Sequence, residues 1–206
     1  EGHRAGAENI RRVIEIFIQF DLKFLTFYAF STENWNRPAN EVAGLLKILG
    51  EMLEQGIKYA QEKNIKFRHL GKFDRLPEDI NQKIQRAMNS TQNNIGLTVS
   101  IAFNYGSRDE ILEAIRQLIS QNVAVNDINE KNFSRYLYTA GLPDPDLIIR
   151  TGGEMRLSNF LLWQAAYAEL YSTPVFWPDF GITEIEKALI CYSQRQRRFG
   201  SLTPGE

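Results

Sequence analysis

Two arginines and a serine follow directly after a short apolar segment, and their spacing favours phosphate chemistry. The apolar run 147–149 is typical of a strand, and Arg150, Arg156 and Ser158 come after it within one loop. In open α/β sheets, ligands bind at the edge where the strands end. Guanidinium groups form paired hydrogen bonds with phosphate oxygens. The sequence therefore predicts a phosphorylated substrate at this edge, with Glu169 further along the chain available as a metal ligand.

A different interpretation of this loop is a solvated surface, because isolated arginines most often form surface salt bridges. The Gly152-Gly153 pair between the arginines favours an anion site instead, since glycines let the backbone approach a phosphate closely. Glu169 stands among apolar and aromatic residues, where a buried carboxylate without a partner is costly. We therefore expect Glu169 to meet a metal ion, an arginine or another hydrogen-bond donor.

Two further polar clusters carry candidate site residues. The segment 31–38 (Ser-Thr-Glu-Asn-Trp-Asn-Arg-Pro) follows the apolar run 24–30 and is expected at the same edge of the sheet. A polar turn in which Trp35 fills a packing gap is the alternative interpretation. His3 and Arg4 open the first helical pattern, where the helix dipole favours anions, although a lone histidine is usually structural.

Length, composition and net charge limit the classes of protein to which this chain could belong. The chain has 206 residues, of which 43% are hydrophobic, and this predicts a single domain with a substantial core. The net charge of −1 argues against a general nucleic-acid binder and leaves room for a local basic pocket. No apolar run is long enough for a transmembrane helix. The single cysteine, Cys191, is typical of a reducing compartment, so we expect a cytoplasmic protein.

Apolar periodicities alternate between helical and strand-like along the chain. This alternation predicts an α/β fold with a central, mostly parallel sheet flanked by helices. Strands are predicted at 24–30, 65–70, 97–103 and 146–149, and helices at 4–19, 41–64, 130–140 and 183–198, with two more beginning near 76 and 107. The spacing of Ser107 and Glu110 fits a capping box for one of these helices.

Several long and compositionally unusual strings resemble the cis-prenyltransferase family, and together they span essentially the whole chain. They are Gly-His-Arg-Ala-Gly at 2–6, Tyr-Ala-Phe-Ser-Thr-Glu-Asn-Trp-Asn-Arg-Pro at 28–38, Asn-Tyr-Gly at 104–106, Asp-Leu-Ile-Ile-Arg-Thr-Gly-Gly-Glu at 146–154, Ser-Asn-Phe-Leu-Leu-Trp-Gln at 158–164, Ala-Glu-Leu-Tyr at 168–171, Trp-Pro-Asp-Phe at 177–180 and Arg-Arg-Phe-Gly at 197–200. The resemblance implies one catalytic domain that condenses isopentenyl diphosphate repeatedly onto an allylic diphosphate such as farnesyl diphosphate. The product would be a long cis-polyprenyl diphosphate such as undecaprenyl diphosphate. Mg²⁺ dependence and a homodimer are also implied.

The resemblance further implies roles for individual residues. Asn34 is its catalytic candidate, and Glu169 would help to place Mg²⁺. Arg150, Arg156 and Ser158 would bind isopentenyl diphosphate, with Leu157 beside them. The other substrate-facing positions are His3, Ser31, Thr32, Glu33, Trp35 and Arg37. In a dimer, the segment 198–200 would complete the site of the neighbouring subunit.

A growing hydrocarbon chain needs an apolar tunnel, and the apolar face of the second predicted helix is a candidate for its wall. Leu45, Leu49 and Met52 lie on that face, and the inward side of the 24–30 strand is the other candidate. Burial contributes about 0.8 kcal/mol per CH₂, or roughly 4 kcal/mol for each five-carbon addition, which favours retention of the chain. Simple core packing is the alternative for at least half of these residues. A lipid product is also compatible with peripheral membrane contact, which no segment indicates directly.

One departure from the family pattern concerns the beginning of the chain. The family carries an N-terminal strand and an Asp-Gly-Asn-Gly-Arg-Trp loop ahead of its Gly-His segment, and this chain lacks both. The aspartate of that loop works with Mg²⁺ and the allylic diphosphate. We expect an N-terminal truncation, because the other site residues are present. A non-catalytic partner subunit is the alternative, whereas an unrelated phosphate-ester enzyme would need a nucleophile or a glycine-rich phosphate loop, and neither is found.

Overall fold

A computed structural model describes residues 2–195, and within them helices alternate with strands. The helices are α1 (Gly2–Gln19), α2 (Ala39–Glu62), α3 (Glu78–Thr91), α4 (Ser107–Ser120), α5 (Glu130–Phe133) and α6 (Ile182–Ser193). The strands are β1 (Phe24–Ser31), β2 (Lys66–Leu70), β3 (Thr98–Tyr105), β4 (Leu147–Arg150) and β5 (Glu169–Ser172). The predicted alternation is confirmed. None of these helices is long and apolar enough to cross a membrane.

The strands form two parallel sheets. β3 lies between β1 and β2, with Ile101 paired to Phe27 on one side and to His69 on the other. All eight β3 residues are buried, as expected for a strand covered on both faces. β4 and β5 pair with each other as a second sheet. The predicted parallel α/β class is confirmed, but the described strands divide between two sheets, and residues of β1 and β4 line one cavity beside them.

Apolar helix faces cover the three-stranded sheet. α1 buries Val13 and Phe17, and α3 buries Ile84, each at helical spacing with its neighbours. These side chains join a single cluster with Phe30 of β1 and Phe103 of β3, whose rings stack with centroids 4.7 Å apart. The core therefore fixes β1 and β3 relative to each other, and it holds the loops that follow them at one edge of the sheet.

Three elements differ from the sequence prediction, namely α5, β5 and α6, which ends at Ser193 and not near 198. α5 ends at Phe133 and does not continue to 140. The Arg68 guanidinium donates hydrogen bonds to the carbonyls of Tyr138 and Ala140 at 3.0 to 3.2 Å. Those carbonyls are therefore bound by a β2 side chain and not by a longer helix. β5 is absent from the prediction, because four residues are too few to give a clear strand periodicity.

The predicted capping box at Ser107 is wrong. Gly106 precedes α4, so Ser107 lies inside its first turn. The Ser107 hydroxyl accepts a hydrogen bond from the Leu162 amide at 2.9 Å, which ties α4 to the chain after β4. Glu110, the second member of the predicted box, is 1% exposed and points into the protein. Tertiary contacts have displaced the local capping pattern here.

Glu110 is the centre of a buried polar network. It accepts hydrogen bonds from the Tyr105 hydroxyl at 2.5 Å, from the Tyr138 amide at 2.8 Å and from the Gln164 side chain at 3.2 Å. Burial raises the pKa of Glu110 despite these donors. Burial, and then the nearby carboxylate, raises the pKa of Tyr105. The network joins β3 and α4 to the segment after β4, which carries the candidate site.

Glu110→Ala is expected to destabilise the fold by about 3 kcal/mol, because it leaves buried donors without an acceptor. Urea unfolding followed by circular dichroism measures this free energy. Glu113→Ala is the matched control on the same helix, since Glu113 pairs with Arg116 at the surface at 3.2 Å. Such exposed pairs contribute about 0–1 kcal/mol. Equal losses in the two variants would contradict the importance of the buried network.

Candidate active site

A cavity of about 1430 Å³ runs beside β1 and β4. Its wall includes the consecutive β1 residues 24–29, which in an extended strand span about 17 Å. Leu45, Leu49 and Met52 of α2 also line it, as the sequence predicts for a tunnel. The lining is mainly apolar, and the volume exceeds the roughly 300–1,000 Å³ of ordinary small-molecule pockets. An elongated hydrocarbon chain fits such a space.

Arg150 ends β4 and lies on the wall of this cavity. Its Nε atom is buried and has no hydrogen-bond partner among the described residues. The Arg150 charge also acts on the phenol of Tyr28: burial and Glu33 raise the pKa of Tyr28 to about 12, and Arg150 opposes this rise. A buried donor left unpaired costs about 1–3 kcal/mol. An anionic ligand in the cavity would supply the missing acceptor.

The glycines after β4 do not present free amides. Gly152 and Gly153 have φ values of 85° and 74°, a left-handed conformation that favours glycine. Their amides donate to the carbonyls of Val175 and Thr173 at 2.9 and 2.8 Å. These two amides are therefore committed to the backbone, and the predicted close approach to phosphate does not extend to them.

The remainder of this loop carries the other predicted phosphate ligands. Arg156 is exposed and pairs with Glu154. Arg156 and Leu157 both line the cavity. Ser158 is exposed, has a positive φ of 49° and lies next to the cavity-lining segment without being part of the wall. Arg150, Arg156 and Leu157 are thus brought to one cavity, with Ser158 at its margin.

The turn after β1 stands outside the cavity wall. It forms a 3₁₀ helix over Thr32–Asn36. The Asn34 side-chain oxygen accepts a hydrogen bond from the Ser31 amide at 2.9 Å. The side-chain nitrogen is therefore the atom of Asn34 that could donate a hydrogen bond to a ligand. The turn residues Ser31, Thr32, Glu33, Asn34, Trp35 and Arg37 do not belong to the cavity wall.

Trp35 packs beside the sheet. Its indole nitrogen donates to the Asn104 side chain at 2.7 Å, and its ring meets Phe30 edge-on with centroids 5.2 Å apart. The Arg75 guanidinium lies over the ring, 4.6 Å from its centroid. These contacts anchor the turn that carries Asn34, and they are compatible with the alternative interpretation of Trp35 as a packing residue.

His3 and Arg37 meet at one carboxylate. Both side chains contact Oε1 of Glu41 on α2, at 3.2 and 2.7 Å respectively. The hydrogen bond from Arg37, with a smaller contribution from His3, lowers the pKa of Glu41. His3 lies on the cavity wall. Two predicted substrate-facing side chains are thus held together, and a diphosphate would compete with Glu41 for them.

Glu169 stays apart from the arginines of the loop. It begins β5, whereas Arg150 is level with Ser172 at the other end of the strand pair, roughly 10 Å away. It forms an ion pair with Arg195, whose Nε lies 3.8 Å from the carboxylate. Residues 2–195 contain no group of three or more His, Cys, Asp or Glu side chains that could hold a metal ion. These residues alone do not fit a resident Mg²⁺, and the segment 198–200 lies outside the described residues.

Comparison with known proteins decides the family. Residues 1–200 match the family model described as "Putative undecaprenyl diphosphate synthase". The chain belongs to this prenyltransferase family. An isoprenyl transferase of Heliobacterium mobile is 46% identical over 205 residues, which cover 98% of this chain and 79% of that protein. These findings confirm the predicted family.

Two further relatives agree with this assignment. A ditrans,polycis-undecaprenyl-diphosphate synthase of Pectobacterium atrosepticum, named as (2E,6E)-farnesyl-diphosphate specific, is 44% identical over 98% of this chain and 82% of its own length. Lavandulyl diphosphate synthase from Lavandula x intermedia, solved with dimethylallyl diphosphate, superposes with a TM-score of 0.92 at 38% identity, over 98% of this chain and 89% of that one. The chain is a prenyltransferase that elongates prenyl diphosphates, and a non-catalytic partner subunit is not favoured.

The site of this prenyltransferase contains residues that the sequence analysis did not single out. Glu41 follows Arg37 by only four positions, so their ion pair is a local contact, although Arg37 precedes α2 and helical spacing does not apply to it. Asn159 meets Glu33 across 126 positions, and no local pattern predicts such a contact. Tyr28 lies within a recognisable strand, but its proximity to Arg150 depends on how β1 and β4 are arranged in space.

Proposed function

We propose that this prenyltransferase condenses isopentenyl diphosphate repeatedly onto farnesyl diphosphate and makes a long cis-polyprenyl diphosphate such as undecaprenyl diphosphate. One observation carries the proposal: the buried Nε of Arg150, which has no hydrogen-bond partner in the described residues, lies on the wall of a largely apolar cavity. A diphosphate supplies the acceptor, and its hydrocarbon tail fills the cavity. The farnesyl specificity in the name of the Pectobacterium relative supports the choice of primer.

In the proposed reaction, negative charge develops on the departing diphosphate, where arginine side chains can stabilise it. The terminal alkene carbon of isopentenyl diphosphate bonds to the allylic carbon as the allylic C–O bond breaks, diphosphate leaves, and one proton is lost from the isopentenyl unit. Cations aimed at the leaving group lower the barrier. We assign Arg150, Arg156 and Ser158 to isopentenyl diphosphate, and His3 and Arg37 to the allylic diphosphate.

Asn34 keeps its assignment as the catalytic residue, and its side chain would act there as a hydrogen-bond donor. Because its oxygen accepts from Ser31, its side-chain nitrogen is the group that we assign to a diphosphate oxygen. The neighbouring turn residues Thr32, Glu33 and Trp35 keep their assignment to the substrate-facing side, and so does Leu157, which lines the cavity. This assignment requires the turn and the bound diphosphate to approach each other.

We also propose that Mg²⁺ accompanies the diphosphates, with Glu169 as one ligand. Chelation of divalent ions is expected to abolish product formation, because Arg37 and Arg156 already pair with Glu41 and Glu154 and would neutralise the diphosphate charge only in part. Adding excess EDTA to the assay and then restoring Mg²⁺ measures this dependence. Full activity in EDTA would contradict it, and Ca²⁺ added in place of Mg²⁺ is the control for a general ionic effect.

A cytoplasmic homodimer is the proposed assembly, with membrane contact when the lipid product leaves. Contiguous exposed apolar surface is a mark of interfaces. Several large apolar side chains are exposed in and around β5 and α6, namely Met155, Tyr167, Leu170, Phe176, Ile182 and Ile190. Light scattering at assay concentration tests the dimer, and flotation with anionic vesicles tests the membrane contact.

The decisive experiment incubates the protein with farnesyl diphosphate, labelled isopentenyl diphosphate and Mg²⁺, followed by chromatographic separation of the products. A ladder that ends at a long polyprenyl species supports the proposal, and the absence of labelled product refutes it for the chain tested. A version that carries Asp-Gly-Asn-Gly-Arg-Trp ahead of Gly2 tests the expected need for that segment.

A second candidate is a single condensation that uses dimethylallyl diphosphate, the ligand with which the Lavandula relative was solved. The TM-score of 0.92 to that enzyme favours it. The cavity of about 1430 Å³ favours the longer product, since one ten-carbon chain would leave most of it empty. Product length in the same assay, with dimethylallyl diphosphate as the primer, distinguishes the two.

A further inference from the structure

Asn159 contacts two separate parts of the structure, the start of α4 and the turn after β1. Its side-chain oxygen accepts a hydrogen bond from the Arg108 amide at 2.9 Å, and its carbonyl accepts one from the Ser107 amide at 2.8 Å, so it caps the start of α4. Its side-chain nitrogen donates to Oε1 of Glu33 at 2.9 Å. Ser158 is the residue before it. One amide side chain therefore links the loop after β4 to the turn after β1.

The backbone around Asn159 is held in a costly conformation. Ser158, Asn159 and Leu161 have φ values of 49°, 63° and 47°. Non-glycine residues in this region cost of order 1–3 kcal/mol each and persist only where the surroundings fix them. A β-carbon at Gly106 would lie 2.6 Å from the Thr32 hydroxyl and 2.9 Å from the Asn159 side-chain nitrogen. The side chains of the loop and the turn therefore leave no room for a β-carbon at position 106.

We propose that Asn159 is a positioning residue that fixes the turn carrying Asn34 relative to the loop carrying Ser158. This rests on the proposed function, in which the turn and the loop hold the two diphosphates. A small error in the relative placement of two reactants lowers the rate even when each still binds. The contact with Glu33 is charge-assisted: burial acts against ionisation, but the hydrogen bonds, led by that from Asn159, lower the pKa of Glu33.

Asn159→Asp separates the two contacts of this side chain. A carboxylate at 159 still accepts from the Arg108 amide and suits a helix N-terminus. It faces Glu33 as a second anion, however, so the link to the turn is lost. Glu33→Gln supplies an amide donor at position 33. In the double variant this amide donates to the carboxylate at position 159, so the hydrogen bond between the two positions forms again in the opposite direction.

The test measures kcat, separate binding of each diphosphate by calorimetry, and melting temperature in the wild type, both single variants and the double variant. Asn159→Asp is expected to lower kcat about tenfold on the wild-type background and less than about twofold on the Glu33→Gln background. Adding Asn159→Asp to either background should change the dissociation constants for farnesyl diphosphate and isopentenyl diphosphate by less than about twofold. Melting temperatures should stay within about 3 °C of the wild type.

Three results would overturn the role of Asn159, and they are distinguishable. Equal kcat losses on the two backgrounds exclude the link to Glu33. A large fall in melting temperature with weaker binding of both diphosphates makes Asn159 a purely structural residue. A wild type that binds neither diphosphate and makes no product refutes the proposed function itself, whereas the first two results leave that function standing.

Discussion

Replacement of Arg150 by alanine is expected to lower kcat/KM for isopentenyl diphosphate by about 10²–10³-fold, the usual effect of removing one preorganised donor from a developing charge. The same change removes a buried Nε that has no hydrogen-bond partner among the described residues. The free energy of unfolding should therefore stay within about 1 kcal/mol of the wild type. Steady-state kinetics at saturating farnesyl diphosphate and urea unfolding measure the two effects.

Two companion variants separate charge from geometry at this position. Arg150→Lys keeps the charge but loses the planar pair of donors, so we expect an intermediate loss of about tenfold. Arg86→Ala, at an exposed position of α3 outside the cavity wall, is the matched control and should leave the kinetics unchanged. Unchanged kinetics in Arg150→Ala would remove Arg150 from the site. A parallel loss of stability would make its role structural.

The elements that could be predicted from the sequence are those whose local pattern coincides with their burial. β3 is buried at every position, and the segment 97–103, in which large apolar residues alternate with smaller ones, indicates a strand directly. α5 could not be delimited in this way, because Arg68 of β2 binds the carbonyls of Tyr138 and Ala140 where the helix would have continued. The division of the strands into two sheets is likewise a property of strand pairing, which no single segment encodes.

The same reasoning separates the predictable part of the site from the rest. The position of Arg150 at the cavity could be predicted because it directly follows an apolar segment, and strand ends are where such sheets bind ligands. Glu110 could not, because its local spacing to Ser107 matches a capping box while its side chain is bound by Tyr105. The contact between Asn159 and Glu33 spans 126 positions and exists only after folding. Long-range polar contacts are thus the part of this site that sequence patterns miss.

Leu49→Trp is expected to shorten the product by about one five-carbon unit or more while the first condensation persists. Leu49 is 8% exposed and lies on the cavity wall, so an indole there occupies volume that the growing chain needs. Each excluded five-carbon unit loses about 4 kcal/mol of burial, which favours earlier release. Chromatography of the dephosphorylated products against polyprenol standards measures the change in length.

Leu46→Trp is the control that separates lost volume from lost stability. Leu46 packs against the core from the same helix but is not part of the cavity wall. Overpacking at such a position costs about 1–3 kcal/mol of stability and should leave product length unchanged. Equal shortening in both variants would mean that destabilisation of α2, and not cavity volume, controls release. Unaltered length in Leu49→Trp would instead place the growing chain along β1, away from α2.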